Sequence, residues 1–536
     1  MVPIKTKLSV FKGQPFILVI LFTLIIIINF ILLQANPHIE IDGVFYAKAG
    51  EQLIKGEGYP ISCIYPPFYP FMIGMFSLLF GGLEISGRLV SILYSSLLVG
   101  PLFLIARWAF GRKIALASCS LAVIYPGLCE FSTKVLAEST FVFFFLMGLI
   151  ITWEALSHDK AFFYFISGLI WGIVYLTKSQ GIVYILFLVL IILVIFFKKR
   201  KIIFIKYICF TIVGFLIISS PYLLYLEKKG GNSRLGSRAV LSLVFGENVG
   251  KENLGSAFEK YLFSLPDKGT RLNMEIVLEN NKGVLHYILS NPKELIRRYI
   301  LNIHLINKYV IPELFSPFIL IVFSAGLFLG DIRETRKALV LFLAFIPYIL
   351  SLPLFEVAPR YFHSFIPIVL IWAARGIVEI SQWFGKAVKA SQKKQNLIEI
   401  GLLILIVLSF IPFTFRPFFR DIKKKGIYQE IGGWLKDNTS EGSILVSRKP
   451  WIPFYAERNQ IALPFEPLDK VLRFARYNKA DYLIVDESVI KGRLDLMLLL
   501  DQDYSSEDLK IINRFKDKAG QKIYIYQILK KDDKEI

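Results

Sequence analysis

A few ionisable side chains stand at the margins of long apolar runs, and their types suit group transfer. Glu40 and Asp42 lie in PHIEIDGVFYAKAGEQLIKGEGYPISCIYPPFYPF, directly after the first such run. Glu138 opens a later run in STKVLAESTFVFFF, with Lys134 one turn earlier. Lys178 follows an apolar run in YLTKSQG, Arg360 and Tyr361 sit in FEVAPRYFHSFIP, and Arg88 enters another run beside Glu84. A carboxylate so placed can take the proton of an attacking hydroxyl. Cations beside a membrane suit a lipid phosphate, Arg as a bidentate fork and Lys as a point charge. Ionisable groups at such boundaries are functional candidates by default.

Each residue also has a plainer reading. Asp42 fits the N-cap of a helix over Val44–Lys55, whose apolar face holds Phe45, Tyr46, Ala49, Leu53 and Ile54. Glu138 has Lys134 at i, i+4, and Arg88 has Glu84. Lys178 and Arg360 suit snorkelling to lipid headgroups, and Glu154 suits the opposite interface. The histidines, His38, His158, His286, His304 and His363, show no metal-ligand spacing. A Gly-rich phosphate loop, G-x-S-x-G and H-E-x-x-H are all missing, which argues against a nucleotide-driven pump. Cys119, Cys129 and Cys209 lie in apolar runs, and Cys63 in a polar loop offers one bridge, to Cys129.

The elements that carry these residues follow from composition. The 536 residues are 55% hydrophobic and only 19% charged, against about 25% charged in soluble domains. Mean hydropathy is +0.55. A soluble enzyme, a disordered chain, a collagen and a disulfide scaffold are thereby excluded. The net charge of +20 has its cause in membrane topology rather than nucleic acid.

A bilayer-crossing helix needs roughly 20 apolar residues. The first run, Pro15–Leu33, reads as a retained signal-anchor. Others lie near Ile85–Leu104, Ile114–Leu128, Ala137–Ala155, Ala161–Leu176, Gly181–Phe197, Ile202–Leu226, Pro312–Leu329, Ala338–Leu354, Tyr361–Ile380 and Ile398–Phe415. The short, proline-led Pro67–Gly82 makes the count twelve if it spans and eleven if it does not. With eleven, Lys5, Lys7, Lys12, Arg107, Arg112, Lys113, Lys198–Lys201 and Lys386–Lys394 all face inward, as the positive-inside rule requires. Pro67–Gly82 is therefore expected to lie in the outer interface, with the N-terminus cytoplasmic and the C-terminus extracytoplasmic.

Three outer segments are large: about 34–84, about 227–311 and 417–536. The second carries amphipathic stretches at Lys251–Leu265 and Val284–Tyr299, suited to a membrane surface. The third is expected to be a small α/β domain, because helical stretches (Ile427–Lys436, Leu468–Tyr477) alternate with β-rich runs (Ser443–Val446, Tyr482–Val485, Lys522–Gln527). The expected division is thus 1–416 membrane domain and 417–536 soluble domain, with no internal repeat and no low-complexity tract.

In this order, IDGVFYAKAGEQLIKGEGYP, YPPFYPFMIGMFSLLFGG, ISGRLVSIL, KVLAESTFVF, GIVYLTKSQG and PRYFHSFIPIVLIWAARG resemble polytopic GT-C glycosyltransferases of the protein O-mannosyltransferase and aminoarabinose-transferase type. The likeness covers about 35–380, and IGGWLKDNTSEGSILVS resembles the start of the extracytoplasmic domain often appended to such enzymes. It implies a mainly α, polytopic membrane fold of about eleven helices with a small α/β C-terminal domain. It also implies transfer of one sugar from a polyprenyl-phosphate donor to a protein, lipid or glycan acceptor on the outer face of a plasma or inner membrane, with inversion.

By the same resemblance Asp42 is the general base and Glu138 the second acid. Arg360 and Tyr361 lie by the donor phosphate. Lys178 stands where many relatives have Arg. Arg88 joins the donor set, and Glu40, Tyr46 and Tyr65 line the substrate site. Two departures matter. Asp42-Gly43 replaces a frequent D-E pair, and Tyr65 precedes Pro-Pro where aminoarabinose transferases have Lys, which argues against that sugar. Asp42 and Glu138 also suit a shared divalent metal, so metal dependence stays open. The competing reading is a transporter or flippase of lipid-linked sugars; such proteins often carry paired repeats and broken midplane helices, whereas these ionisable residues cluster at the outer boundary.

Overall fold

The computed structural model describes residues 15–60, 65–230, 243, 260–266, 270–279, 284–332, 335, 338–343, 345–355, 357–420, 426–490, 493–501, 504 and 506–529. The chain groups into two bodies. The first is Met1–Gln34, Phe45–Gly231 and Ile288–Arg416; the second is Ala35–Val44, Asn232–Tyr287 and Pro417–Ile536.

The helices that matter for the first body are α1 (Pro15–Leu33), α2 (Ile41–Ile54), α3 (Phe68–Phe80), α4 (Leu83–Leu97), α5 (Val99–Phe110), α6 (Arg112–Val123), α7 (Pro126–Ser132), α8 (Glu138–His158), α9 (Ala161–Thr177), α10 (Gly181–Lys199) and α11 (Ile203–Gly230). After these come α12 (Pro292–Leu305), α13 (Pro317–Phe328), α14 (Ile366–Ala387) and α15 (Gln392–Thr414). Their outward faces are apolar: on α10, Leu186, Leu190, Val194 and Phe197 are exposed while Tyr184, Leu188 and Ile192 are buried. A soluble helix would show the reverse, so this is a polytopic membrane protein.

Among the described residues, seven helices are long and apolar enough to cross a bilayer: Phe16–Leu33, Leu83–Phe110, Glu138–His158, Gly181–Lys199, Ile203–Lys228, Pro359–Ala387 and Gln392–Phe418. Two bent pairs raise the number to nine, α6 with α7 at 56° and Pro292–Leu314 with α13 at 100°. Among the described residues seven to nine spans meet this test of length and composition, against the eleven expected. Pro126 and Pro317 open the second member of each bent pair, where a missing N–H breaks the ladder. Two expected spans, seen as Ala161–Thr177 and Leu341–Leu354, form shorter helices, as does Phe68–Phe80.

Left-handed residues turn the chain sharply between neighbours: Asp159 (φ 50°) between α8 and α9, and Arg200 (φ 51°) between α10 and α11. Small residues then let helices approach closely. A Cβ on Gly168 of α9 would strike the Thr211 carbonyl of α11, and one on Gly376 of α14 would strike the Val322 carbonyl of α13.

The second body holds a five-stranded sheet, β1 (Ile444–Ser447), β2 (Asn459–Ala462), β3 (Tyr482–Asp486), β4 (Leu509–Lys516) and β5 (Lys522–Ile528), in the order β2-β1-β3-β5-β4. The β2-β1-β3 half is parallel and the β3-β5-β4 half antiparallel. Alternation sets the layers. Val446, Leu483, Val485, Tyr524 and Tyr526 face a core that includes α17 (Leu468–Tyr477), while Leu445, Ile484, Ile523 and Ile525 face one that includes α16 (Ile427–Asn438) and Trp451–Tyr455. This is the expected α/β domain, with two strands, β2 and β4, that the sequence pattern had not marked.

Parts of the outer segments group with this sheet. Ile39 N–H donates to the Tyr455 hydroxyl (3.0 Å), and Gln429 Nε2 donates to the Pro37 carbonyl (3.1 Å). Phe465 N–H donates to the Phe263 carbonyl (2.7 Å). Of the amphipathic stretches, Val284–Tyr299 is helical, whereas most of Lys251–Leu265 lies outside the described residues, as does Cys63.

Candidate active site

Glu138 is placed by a break in the helical path. After α7 ends at Ser132, residues 133–137 are not helical, and Glu138 begins α8. Lys178 ends α9 in an extended conformation (φ −146°, ψ 132°), and its carbonyl accepts from Gly181 N–H (2.9 Å) where α10 starts. Because α8 and α9 run antiparallel, the first residue of one meets the last of the other. Lys178 Nζ donates to Glu138 Oε1 at 2.7 Å, with side-chain exposures of 14% and 4%. The pairing with Lys134 allowed by sequence is not made, because the break removes i, i+4 geometry; Lys134 pairs instead with Glu130 at 2.9 Å.

Arg360 and Tyr361 come from the 3-10 turn Pro359–Phe365 that leads into α14. Arg360 Cζ lies 5.2 Å from the Tyr361 ring centroid. Arg360 and His363 both lie within electrostatic reach of Glu138. The Tyr348 hydroxyl ties this turn to the α9–α10 loop, contacting the Tyr361 carbonyl and donating to Gln180 Oε1 at 3.1 Å. Glu138 Oε2 is buried and has no hydrogen-bond partner among the described residues. Two cations thus face one carboxylate with a free oxygen at one end of the bundle. Such a pocket is suited to a bound anion alongside a hydroxyl-bearing group.

Other expected residues fall elsewhere. Arg88, on α4, donates to Glu84 Oε1 (Nη2, 2.5 Å) and to the Thr133 carbonyl (Nη1, 3.3 Å), so it braces the segment ahead of Glu138. Tyr46 and Tyr65 pack ring to ring at 4.6 Å, and Tyr46 lies edge-on to Tyr69 at 5.1 Å. Tyr69 in turn bonds Ser91 (2.8 Å), joining α3 to α4. Asp42 is half-buried in the first turn of α2, which starts at Ile41, so it sits inside the helix start rather than as its cap. An acid there is favoured by the helix dipole. Asp42 and Glu40 belong to the second body, and Glu138, Lys178, Arg360 and Tyr361 to the first. Among the described residues no group of three or more His, Cys, Asp or Glu gathers as a metal site.

Sequence reasoning missed Tyr348, Gln180 and His363. Only His363 carried a signal, lying one 3-10 turn after Arg360. It is buried, edge-on to Phe131 at 5.0 Å.

Residues 65–225 match a family profile described as dolichyl-phosphate-mannose-protein mannosyltransferase. That stretch includes Glu138 and Lys178 but not Asp42 or Arg360. No curated protein matches the chain. Among solved structures, ArnT from Cupriavidus metallidurans bound to undecaprenyl phosphate superposes with a TM-score of 0.57 at 14% identity, covering 95% of this chain and 97% of that one. AglB, the archaeal oligosaccharyltransferase from Archaeoglobus fulgidus, in complex with an inhibitory peptide and a dolichol-phosphate, superposes with a TM-score of 0.54 at 13% identity, covering 97% and 75%. This chain carries the GT-C fold of polytopic glycosyltransferases of the protein O-mannosyltransferase and aminoarabinose-transferase type.

Proposed function

We propose that this protein transfers a single sugar from a polyprenyl-phosphate donor to an acceptor hydroxyl on the extracytoplasmic side of a plasma or inner membrane. The observation that carries this reading is the buried Glu138–Lys178 pair with Arg360 beside it. A single lipid phosphate would balance its cations, and the carrier supplies the activated bond. The likeness to a protein solved with undecaprenyl phosphate supports the choice of donor.

The chemistry follows. An acceptor hydroxyl is too weakly acidic to attack alone, so Asp42 takes its proton as the new bond forms. The sugar–phosphate bond breaks on the opposite side, with inversion at the anomeric carbon. Negative charge grows on the departing lipid phosphate, and Lys178 and Arg360, preorganised in a poorly hydrated wall, stabilise it. Glu138 holds Lys178 in place and offers Oε2 to a hydroxyl of the sugar.

Asp42→Asn tests the base. Purified protein with labelled undecaprenyl-phosphate sugar should lose about 10²–10⁴ in transfer rate while keeping wild-type membrane expression. A variant with near-normal turnover removes Asp42 from this role. Protein that releases no carrier with any donor, yet moves lipid-linked sugar between leaflets, overturns the transferase reading.

A further inference from the structure

The helix α12 packs against the stretch of chain that leads to Arg360. Its buried face carries Leu295, Arg298 and Asn302, spaced i, i+3 and i+7, and its exposed face carries Ile296, Ile300 and Ile303. Two of the three buried side chains are polar, so this inner face must hydrogen-bond as well as pack. It bonds three consecutive carbonyls. Asn302 Nδ2 donates to those of Pro353 and Phe355, both at 2.8 Å, and Arg298 Nη1 donates to that of Leu354, between them, at 3.4 Å.

These carbonyls close the helical run Ile346–Leu354. The last carbonyls of a helix have no partner within it, and a cation beside them complements the helix dipole. Asn302 is 2% exposed and Pro353 is buried, so side chains of α12 take the place of solvent. The same run carries Tyr348, whose hydroxyl contacts the Tyr361 carbonyl. The stretch from Tyr348 to Tyr361 is thus held at two points. Tyr348 closes its base, next to Arg360, and Asn302 grips it at 353–355.

The other side of α12 indicates what seats it. The helical stretch Pro292–Leu314 meets α13 at 100°, and a helix at right angles to an apolar span lies along the bilayer plane. Ile296, Ile300 and Ile303 form an apolar stripe on the outward face, with Lys293 and Lys308 exposed as well. Arg297 is paired with Glu294 at 2.7 Å. An apolar stripe accompanied by cations is the pattern of a helix half-sunk among lipid headgroups.

We propose that α12 is an interfacial lever: it is seated in the outer headgroup layer, and through Asn302, a positioning residue, that seating sets where the Arg360 turn stands. The use of Arg360 for a lipid phosphate rests on the transferase reading. The link from bilayer to turn does not.

The test uses the full chain in phospholipid nanodiscs. Amide hydrogen exchange over residues 352–365 is the first readout, and binding of undecaprenyl phosphate is the second. Ile300→Glu puts a charge on the apolar stripe, on the opposite face of α12 from Asn302. Asn302→Asp keeps the side chain's shape and replaces the donor by an acceptor. Each should speed exchange over 352–365 at least several-fold and weaken undecaprenyl phosphate binding about tenfold, whereas Ile300→Leu should match wild type in both. Melting temperatures report folding, and Ile300→Glu, at an exposed position, keeps the test valid if the Asp variant does not fold. Unchanged exchange in Ile300→Glu, or faster exchange with undecaprenyl phosphate bound as tightly as by wild type, would overturn the proposal. Wild-type protein that binds no undecaprenyl phosphate, while Ile300→Glu still speeds exchange, would refute the donor reading and leave the lever standing.

Discussion

Replacing Lys178 by Met keeps the side chain's length and removes its charge, leaving Glu138 ionised in an apolar wall. At the observed 2.7 Å the pair's attraction is about 6 kcal/mol for an effective dielectric of about 20. Desolvating two ions costs several kcal/mol each, so the pair as a whole adds little net stability. Removing one partner is different, because the desolvation of the other stays uncompensated, and this costs about 3–5 kcal/mol. With side-chain exposures of only 14% and 4%, no large discount for solvent screening applies. Lys178→Met should therefore melt well below wild type in detergent, as should Glu138→Gln by a smaller margin, since Gln keeps an acceptor for the ammonium. The double variant Lys178→Met/Glu138→Gln should recover most of the loss, within about 1–2 kcal/mol of wild type. Donor kinetics separate the roles. Loss of Lys178 should raise donor KM, and the double variant, though refolded, should stay impaired because the phosphate has lost a cation. A double variant no more stable than Lys178→Met alone would refute the electrostatic account. One that is stable and fully active would remove Lys178 from donor binding.

Arg88→Ala should cost about 1–3 kcal/mol in thermal stability through the lost bonds to Glu84 and the Thr133 carbonyl, with a smaller effect on donor KM than Lys178→Met; the reverse ranking would make Arg88 a donor ligand. Gly168→Leu should lower the melting temperature by an amount equivalent to at least about 1–3 kcal/mol, because the new side chain meets the Thr211 carbonyl, and an unchanged melt would mean that α9 and α11 are not locked together there. Burial pushes the Asp486 carboxyl above its usual value, with the bonds from Ser488 and Tyr428 opposing. An acid raised in the folded state adds stability that is present at low pH and lost as pH rises through its folded value. Asp486→Asn, which keeps an acceptor for Ser488, should thus gain stability relative to wild type at pH 7 compared with pH 4, read as melting temperature; an equal difference at both pH values contradicts the burial argument.

The parts of this molecule legible in sequence are those fixed by local pattern. Leu468–Tyr477 reads as an amphipathic helix and forms one with the same bounds. Lys522–Gln527 is a run of Ile and Tyr, residues that favour strands, and pairs on both sides as β5, with Ile523–Tyr526 all buried. By contrast, Asn459–Ala462 offers only four residues, and Leu509–Lys516, an edge strand, exposes every second residue but places Ile512 on the open face, with a bulge between Ile511 and Asn513; neither rises above its surroundings. Span bounds follow local pattern only in part. Hydropathy registers how apolar a run is but is blind to the turns at Pro126 and Pro317, where the neighbouring structure sets the bend angle.

The site shows the same limit more sharply. Glu138 stood out because a carboxylate in an apolar margin is costly, and that reasoning needs no partner. Choosing its partner does need one, and sequence distance favoured Lys134, four residues away, over Lys178, forty away. The choice turned on whether the helix is continuous across residues 133–137, and the VLAE stretch contains no glycine or proline to announce a break. What holds the break open is tertiary: Arg88 and Ser91 of α4 bond the carbonyls of Thr133, Lys134 and Leu136, which an unbroken helix would have used internally. The cation paired with the candidate catalytic acid is therefore selected by hydrogen bonds from a different helix. Single substitutions at Ser91 should accordingly disturb the Glu138–Lys178 pair without touching either residue.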